Sequence, residues 1–286
     1  MIIYKDLNFE SFNTLHINNK IKYLFEVENH DEVFILVYLF NFFKIKYYVL
    51  GNASKVVFKD EVVNNPIIYI NSMFSKIYYL SNNEYLISSG LLLKDLIMYL
   101  KEFNKGGFES MYPIPACIGG VLANNASDNK VTFSDFVKKV VILTKKGKIK
   151  VLNKKQIRFK YRSSLIKEKK YIVLYCLIKV KDVKKEIILM NIKDALLYRN
   201  KHQGSYKYSC GSLFKNEKKY KAYELIRKCN LYNLRIGDIS LSDVHSNILI
   251  NYGNGKSYEI ILLVKLIKIL VKKQFNITLK EELIIY

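Results

Sequence analysis

The sequence lacks tryptophan and contains only four cysteines in 286 residues. Cys117, Cys176, Cys210 and Cys229 lie far apart, and no Cys-x-x-Cys pair occurs. This spacing indicates neither a zinc site nor a disulfide framework, and it favours a reducing compartment. The glycines do not form the Gly-x-Gly-x-x-Gly fingerprint of dinucleotide-binding folds either.

Acidic side chains are scarce: 25 Asp and Glu stand against 47 Lys and Arg, a net charge of +22. Such a basic balance would suggest a nucleic-acid partner. However, the lysines are spread over the whole chain and accompany abundant Asn, Ile, Tyr and Phe, the residues of A- and T-rich codons. We therefore predict a solvated lysine surface and no nucleic-acid partner. The positive field would still attract small anions such as phosphates.

No hydrophobic run is long enough to span a membrane. Residues 33–43 form the strongest apolar run but are too short, and Lys265 and Lys268 interrupt residues 260–271. The first residues lack the pattern of a signal peptide. Half of the residues are hydrophobic, so a sizeable core is expected. These features predict a cytoplasmic protein without a membrane partner, long enough for two or three domains.

Hydrophobic patterning predicts a mixture of strands and helices. Asn29 and Glu32 have capping-box spacing at the start of the first helix. The predicted helices cover residues 31–43, 93–103, 221–229 and 258–275, with another around Arg199. The predicted strands cover residues 13–17, 23–27, 47–50, 56–58, 67–70, 77–79, 85–88, 137–144, 149–152, 171–180, 248–251 and 279–285. The strands at residues 137–144 and 149–152 are predicted to form a hairpin around residues 145–147, and Arg162 is expected amid apolar strand residues at 159–164. The charged residues 181–186 are predicted to be a linker.

Two glycine-containing segments are candidate anion- or ligand-binding loops. Residues 51–55 form a polar turn whose backbone N–H groups and side chains can hold an anion. A plain hairpin turn is the interpretation that this pattern favours by itself. Residues 113–126 include two of the three prolines and a Gly-Gly pair, which predicts an irregular loop. This loop either faces a ligand or has no function.

Residues 209–216 suggest a serine held in a fixed position. Gly211 permits a turn that other residues cannot make, while Leu213 and Phe214 can anchor the segment in a core. The hydroxyl of Ser212 would then be placed as a proton donor or a nucleophile, although an ordinary hairpin is the more common meaning of such a motif. His245 has no second metal ligand at suitable spacing, so we predict a hydrogen-bonded structural histidine.

In their order along the chain, these segments resemble the UDP-N-acetylenolpyruvoylglucosamine reductase family, flavoenzymes of peptidoglycan precursor synthesis. The resemblance extends from residue 13 to residue 282, and the short segment between Arg199 and the serine resembles the compact subtype. Its motifs are residues 50–54, 114–120 with Asn125 and Ala126, 161–164, Arg199 with Gln203, 209–216, 236–237, 245–247, and Leu279 with Glu282.

The chain departs from the family pattern at several positions. Lys55 stands where the family has asparagine, alanine replaces glycine at positions 53 and 116, and residues 127–129 replace Gly-Ala-Tyr. His202 stands where a lysine usually precedes the serine, with Lys201 adjacent. We expect these departures to affect the flavin-binding loops and the substrate loop more than the catalytic residues.

The resemblance implies an α+β fold: a two-part FAD-binding domain of the vanillyl-alcohol-oxidase/p-cresol-methylhydroxylase type, followed by an α+β substrate-binding domain. The expected boundaries are residues 1–64 and 65–184 for the two FAD-binding parts, with the C-terminal strand 279–286 in the second, and 185–278 for the substrate domain. The resemblance also implies a monomer.

The activity implied is reduction of UDP-N-acetylglucosamine enolpyruvyl ether to UDP-N-acetylmuramate, with hydride passing from NADPH through FAD. Arg162 and Glu282 would stabilise the enolate, Ser212 would give the proton, and the three would share one cavity. Tyr161, Arg199, Lys215 and Asn216 would bind substrate. FAD would be bound by Gly51, Asn52, Ala53, Ser54, Pro115, Ile118, Gly119, Gly120 and Asn125. No metal is implied.

Two alternatives remain open from sequence. One is another flavin oxidoreductase of the same fold, because fold does not fix function. The other is a basic protein that binds nucleic acid or another anion and in which the ancestral site has decayed.

Overall fold

The protein is described by a computed structural model covering residues 1–128, 130–217 and 219–286. Position 129, part of the substituted 127–129 segment, lies outside the described residues. The helices are α1 (His30–Phe42), α2 (Leu93–Lys101), α3 (Ile118–Asn124), α4 (Lys154–Ile157), α5 (Leu165–Lys169), α6 (Lys185–Gln203), α7 (Ala222–Lys228) and α8 (Ser257–Phe275).

Short strands alternate with these helices in parallel and antiparallel sheets, which confirms the α+β class. The strands are β1 (Ile2–Asn8), β2 (Lys20–Glu26), β3 (Tyr48–Leu50), β4 (Val56–Val57), β5 (Val62–Val63), β6 (Ile67–Tyr69), β7 (Ile77–Ser81), β8 (Glu84–Ser88), β9 (Lys105–Gly106), β10 (Val137–Leu143), β11 (Ile149–Asn153), β12 (Ile172–Lys179), β13 (Lys181–Asp182), β14 (Ser209–Ser212), β15 (Arg235–Ile236), β16 (Ile239–Leu241), β17 (Ile248–Asn251) and β18 (Ile284–Ile285).

The chain divides into two compact units. The first contains residues 1–5, 23–52 and 65–197, and the second contains residues 6–22, 53–64 and 198–286. None of the helices in the described ranges is long and apolar enough to cross a membrane. The three-part division made from sequence stays a prediction.

Parallel pairing organises the first sheet of the first unit. Strand β6 pairs in parallel with both β2 and β3. Helix α1 begins where predicted, because the Asn29 side chain accepts a hydrogen bond from Glu32 N at 3.0 Å. Its buried face, including Val33 and Val37, packs in one cluster with Ile68 of β6.

The second sheet of the first unit is antiparallel, in the order β11-β10-β12-β8-β7. The predicted hairpin is confirmed, with β10 and β11 joined by a turn at Gly147. Helices α2 and α3 contribute Leu96 and Val121 to the core beneath this sheet. The core therefore supports α3, which carries the Gly-Gly pair.

The second unit contains an antiparallel sheet in the order β14-β17-β16-β15, packed with α7 and α8 around one apolar core. The final strand, β18, pairs in parallel with β4. The sequence prediction instead grouped this strand with residues 65–184. Strands β14 and β4 both belong to the second unit.

Several local predictions of secondary structure were wrong. Residues 118–124 form a helix, because Ile118 N and Gly119 N donate to the carbonyl oxygens of Leu91 and Ser89 at 2.9 and 2.8 Å. Strands β3 and β4 pair with different partners, so the turn between them is not a hairpin. Residues 13–17 form no strand, and residues 181–186 form β13 and the start of α6 instead of a linker.

Candidate active site

The first part of the predicted flavin loop packs against the proline-containing segment within the first unit. Asn52 Nδ2 donates to the carbonyl oxygen of Pro115 at 2.9 Å. A Cβ added to Gly51 would lie 2.2 Å from Cys117 Sγ, so a side chain at position 51 would displace the cysteine. Burial raises the pKa of the Cys117 thiol, which therefore stays neutral.

The second part of that loop belongs to the second unit. Ala53 has φ 45°, in the left-handed region that favours glycine, the residue that the family has here. The carbonyl oxygen of Ser54 accepts a 3.5 Å hydrogen bond from Thr14 Oγ1. The unit boundary thus falls between Asn52 and Ala53.

Helix α3 presents a surface of small residues. A Cβ added to Gly120 would meet only Cys117 Sγ, at 3.9 Å, so the helix surface is open there. Asn125 ends α3 with φ 45°, and its Nδ2 donates to the Lys160 carbonyl oxygen at 3.0 Å. Within the described residues, Asn125 Oδ1 and the Oγ of Ser89 are buried and lack a hydrogen-bond partner.

Arg162 lies in a tight turn instead of the predicted strand. Lys160 and Ser163 exchange backbone hydrogen bonds of 2.9 and 3.2 Å, and Arg162 between them has φ 52°. Its Nη1 donates to the hydroxyl and carbonyl oxygens of Ser127 at 3.0 and 3.3 Å. The guanidinium carbon also lies 5.4 Å from the centroid of the Tyr161 ring. These contacts hold the guanidinium in one direction.

Ser212 ends β14, where a buried asparagine fixes the backbone. Gly211 has φ 67° and follows a register shift in the pairing of β14 with β17. The Asn247 side chain accepts from Phe214 N at 2.9 Å and donates to Phe214 O at 2.8 Å. Asn247 O accepts from Leu213 N at 2.7 Å. The predicted anchoring by Leu213 and Phe214 is confirmed, since both side chains are buried.

Glu282 lies beside the end of β14. Its backbone N–H donates to Leu213 O at 2.8 Å, and its Oε1 lies 3.2 Å from Lys55 Nζ. Lys55 Nζ also donates to the carbonyl oxygen of Ser212 at 2.5 Å. Ser212, Glu282 and Lys55 therefore form one cluster within the second unit.

The predicted substrate residues have different surroundings. Arg199 is half-buried near the end of α6, and burial lowers the pKa of its guanidinium. Asn216 Oδ1 accepts from Ala222 N at 3.0 Å at the start of α7, a structural bond that the sequence did not indicate. Lys215 is fixed by its backbone N–H, which donates to Lys280 O at 2.9 Å.

His245 has the features of a structural residue. Its Nδ1 accepts from Asn247 N at 3.3 Å, and burial lowers the pKa of its imidazole. Across the described ranges, no cluster of three metal-ligating side chains was found.

Ser212 and Glu282 belong to the second unit and Arg162 to the first. That all three share one cavity stays a prediction. The expectation that the family departures affect the flavin-binding and substrate loops more than the catalytic residues stays a prediction. Two of the departing residues do contact the predicted catalytic residues: Lys55 contacts Ser212 and Glu282, and Ser127 contacts Arg162. Lys55 and Ser127 both differ from the family motif, and this difference was the signal in the sequence that could have pointed to their contacts.

Comparisons with known proteins cover the whole chain. Residues 21–153 match the family model of an FAD binding domain, and residues 203–286 match that of the UDP-N-acetylenolpyruvoylglucosamine reductase C-terminal domain. The reductase of that name from Alkaliphilus metalliredigens is 30% identical over 239 residues, which cover 84% of this chain and 78% of the relative. The chain belongs to the UDP-N-acetylenolpyruvoylglucosamine reductase family.

Further relatives of this reductase family span the full length. The reductase from Fusobacterium nucleatum is 29% identical over 285 residues, covering 100% of this chain and 99% of the relative. The crystal structure of the enzyme from Thermus caldophilus superposes with a TM-score of 0.83 and 26% identity, covering 100% and 99% of the two chains. These matches confirm the resemblance, the two-part fold class and the expectation of a reductase.

The residues of the flavin loops fit the predicted cofactor. The match to an FAD binding domain confirms the prediction of FAD. The open surface at Gly120 admits a close approach of a ligand to the backbone. Asn125 and Ser89, each with an orphaned buried oxygen, supply acceptors that a ligand can satisfy.

Proposed function

We propose that this protein reduces the enolpyruvyl ether of UDP-N-acetylglucosamine to UDP-N-acetylmuramate, with NADPH as the hydride donor, in peptidoglycan precursor synthesis. The carbon–carbon double bond takes a hydride at its terminal carbon and a proton at the carbon that bears the carboxylate. The observation that carries the proposal is the fixed Ser212, held beside Glu282 in a chain of this reductase family.

When bound, FAD supplies the hydride it has received from NADPH. The residues proposed to hold it are Gly51, Asn52, Ala53, Ser54, Pro115, Ile118, Gly119, Gly120 and Asn125. Asn52 and Pro115 are already joined by a hydrogen bond, so this part of the site is preorganised.

Arg162 stabilises the negative charge that develops on the substrate carboxylate. A guanidinium is permanently charged and can bind both carboxylate oxygens. Ser127 and the turn conformation restrict its motion, and a preorganised donor of this kind contributes about 3 kcal/mol or more to transition-state stabilisation.

Ser212 donates the proton, because its acceptor is a carbon far more basic than the serine alkoxide. Glu282 shares in stabilising the enol and orients the substrate. Tyr161, Arg199, Lys215 and Asn216 bind the substrate, with Arg199 and Asn216 directed to its diphosphate. The cytoplasmic location and the monomeric state of the protein remain predictions.

Absorption spectroscopy followed by a turnover assay tests this function. The purified protein should show a flavin spectrum, and under anaerobic conditions it should turn over NADPH catalytically only when the UDP-sugar enolpyruvyl ether is present. In D2O, deuterium should enter the product at the carbon next to the carboxylate, because the proton given there comes from an exchangeable hydroxyl. A yellow protein that ignores this substrate would indicate another flavin oxidoreductase, and a colourless one that cannot be loaded with FAD would contradict the proposal entirely.

A further inference from the structure

Lys55 touches two predicted catalytic residues at once. Its Nζ donates to the Ser212 carbonyl oxygen at 2.5 Å and lies 3.2 Å from Glu282 Oε1. The two side chains of this ion pair are only 22% and 12% exposed. An ion pair so shielded from water interacts more strongly than a pair on the open surface.

Backbone pairing explains why these groups meet. Lys55 directly precedes β4, and β4 pairs in parallel with β18. Ile284 N donates to Lys55 O at 2.8 Å, while Glu282 N donates to Leu213 O at 2.8 Å. The last segment of the chain therefore joins the strand after Lys55 to the end of β14, and this brings the ammonium group between Ser212 and Glu282.

The local chain leaves room for this lysine. A Cβ added to Gly211 would lie 3.8 Å from Lys55 Nζ, an ordinary contact distance, so the ammonium group lies directly beside this glycine. The charges of Lys55 and Glu282 also act on the neighbouring thiol of Cys210. Burial raises the pKa of this thiol to about 11; the positive charge of Lys55 acts to lower the pKa, and the negative charge of Glu282 acts to raise it. Both charges are thus within electrostatic reach of β14.

The geometry points to Lys55 as a positioning residue for the proton-donating half of the site: it fixes the Glu282 carboxylate and the Ser212 backbone relative to each other. This inference rests on the proposed function. An asparagine side chain, the family residue, is too short to reach the position of the lysine Nζ, so this chain organises the two groups differently from the family motif.

Transient kinetics on loaded enzyme test the inference. Lys55→Met should leave the rate of flavin reduction by NADPH unchanged and slow flavin reoxidation by the enolpyruvyl ether on the order of ten- to hundredfold, the cost of misplaced catalytic groups. Lys55→Arg should restore part of the loss because it keeps a charged donor. Lys59→Met is the matched control: it removes an exposed lysine from the same segment and should retain the wild-type rate.

A stability measurement adds a readout independent of activity. Unfolding midpoints in urea are compared for Lys55→Met, Glu282→Gln and the double variant. If the ion pair exists, the two shifts are not additive, and the second substitution adds little to the first. Additive shifts would overturn the inference.

The other outcomes separate this inference from the proposed function. If the wild-type protein showed no turnover with the enolpyruvyl ether, the proposed function would be refuted. A wild type that turns over, beside a Lys55→Met variant with unchanged reoxidation, would overturn the role of Lys55 alone. Loss of bound FAD from Lys55→Met, with Lys55→Arg restoring it, would also overturn that role, because the lysine would then serve the cofactor.

Discussion

Replacing Asn247 by alanine should destabilise the second unit and displace the end of β14. The Asn247 side chain is 2% exposed and makes two hydrogen bonds, to the N–H and the C=O of Phe214. Alanine cannot make either bond, and both backbone groups are buried. The residues that follow Ser212 would then lose their fixed position.

The magnitude follows from the two orphaned groups. Leaving a buried polar group without a partner costs about 1–3 kcal/mol, so the loss of two partners should lower the free energy of unfolding by roughly 2–6 kcal/mol. Asn251→Ala is a matched control, because Asn251 is the last residue of β17 and Asn247 directly precedes that strand. Asn251 is 6% exposed, donates to Leu15 O at 2.8 Å and accepts from Gly253 N at 2.9 Å, and both of these partners lie outside the Ser212 segment.

Urea unfolding of the FAD-loaded protein measures the stability loss, and stopped-flow absorbance measures flavin reoxidation by the enolpyruvyl ether. Both asparagine variants should lower the unfolding midpoint with an unchanged slope. Under conditions where both are folded, only Asn247→Ala should slow reoxidation. The rate at which NADPH reduces the flavin should be the same in Asn247→Ala and in the control Asn251→Ala.

Two results would refute this reasoning. A loss below about 1 kcal/mol for Asn247→Ala would mean that water replaces the two bonds. Equal reoxidation rates for the two variants would mean that Asn247 stabilises the unit without positioning Ser212.

Three further predictions concern other features of the site. Ser127→Ala removes a hydroxyl acceptor of Arg162 and should lower kcat about tenfold with FAD content unchanged, and an unchanged kcat in a steady-state assay would contradict it. Ala53→Gly removes a buried methyl group but also relieves about 1–2 kcal/mol of strain, because Ala53 has a left-handed backbone conformation. Ala116→Gly relieves no such strain, so calorimetry should show that Ala53→Gly lowers the stability less than Ala116→Gly. The reverse order would contradict this prediction. Of the four cysteines only Cys229 is not fully buried. Its thiol should therefore react first with a thiol reagent in the native protein at pH 8. Equal reaction rates for all four thiols would contradict this burial.

Local patterns predicted much of the fold. Capping at Asn29 and the turn at Gly147 correctly marked α1 and the β10–β11 hairpin, since both signals act over a few residues. Helix α3 was missed because its glycines favour a loop, while hydrogen bonds to Leu91 and Ser89, about 30 residues earlier, fix it as a helix. Tertiary contacts of this kind override local preference.

The candidate site was predicted unevenly for the same reason. Motif order identified Ser212 and Glu282, and the structure places both beside Lys55. The lysine was recognised only as a departure in the flavin loop. Its contacts lie more than 150 residues away in sequence, and they depend on the pairing of β4 with β18, which no local pattern indicates.

Half-reaction kinetics of Ser212→Ala test the central claim most directly. The variant should accept hydride from NADPH at the wild-type rate, because its flavin loops are intact. Flavin reoxidation by the UDP-sugar enolpyruvyl ether should fall by about 10²–10⁴, the contribution of a positioned general acid. Reoxidation at the wild-type rate would show that another group gives the proton and that Ser212 has no catalytic role.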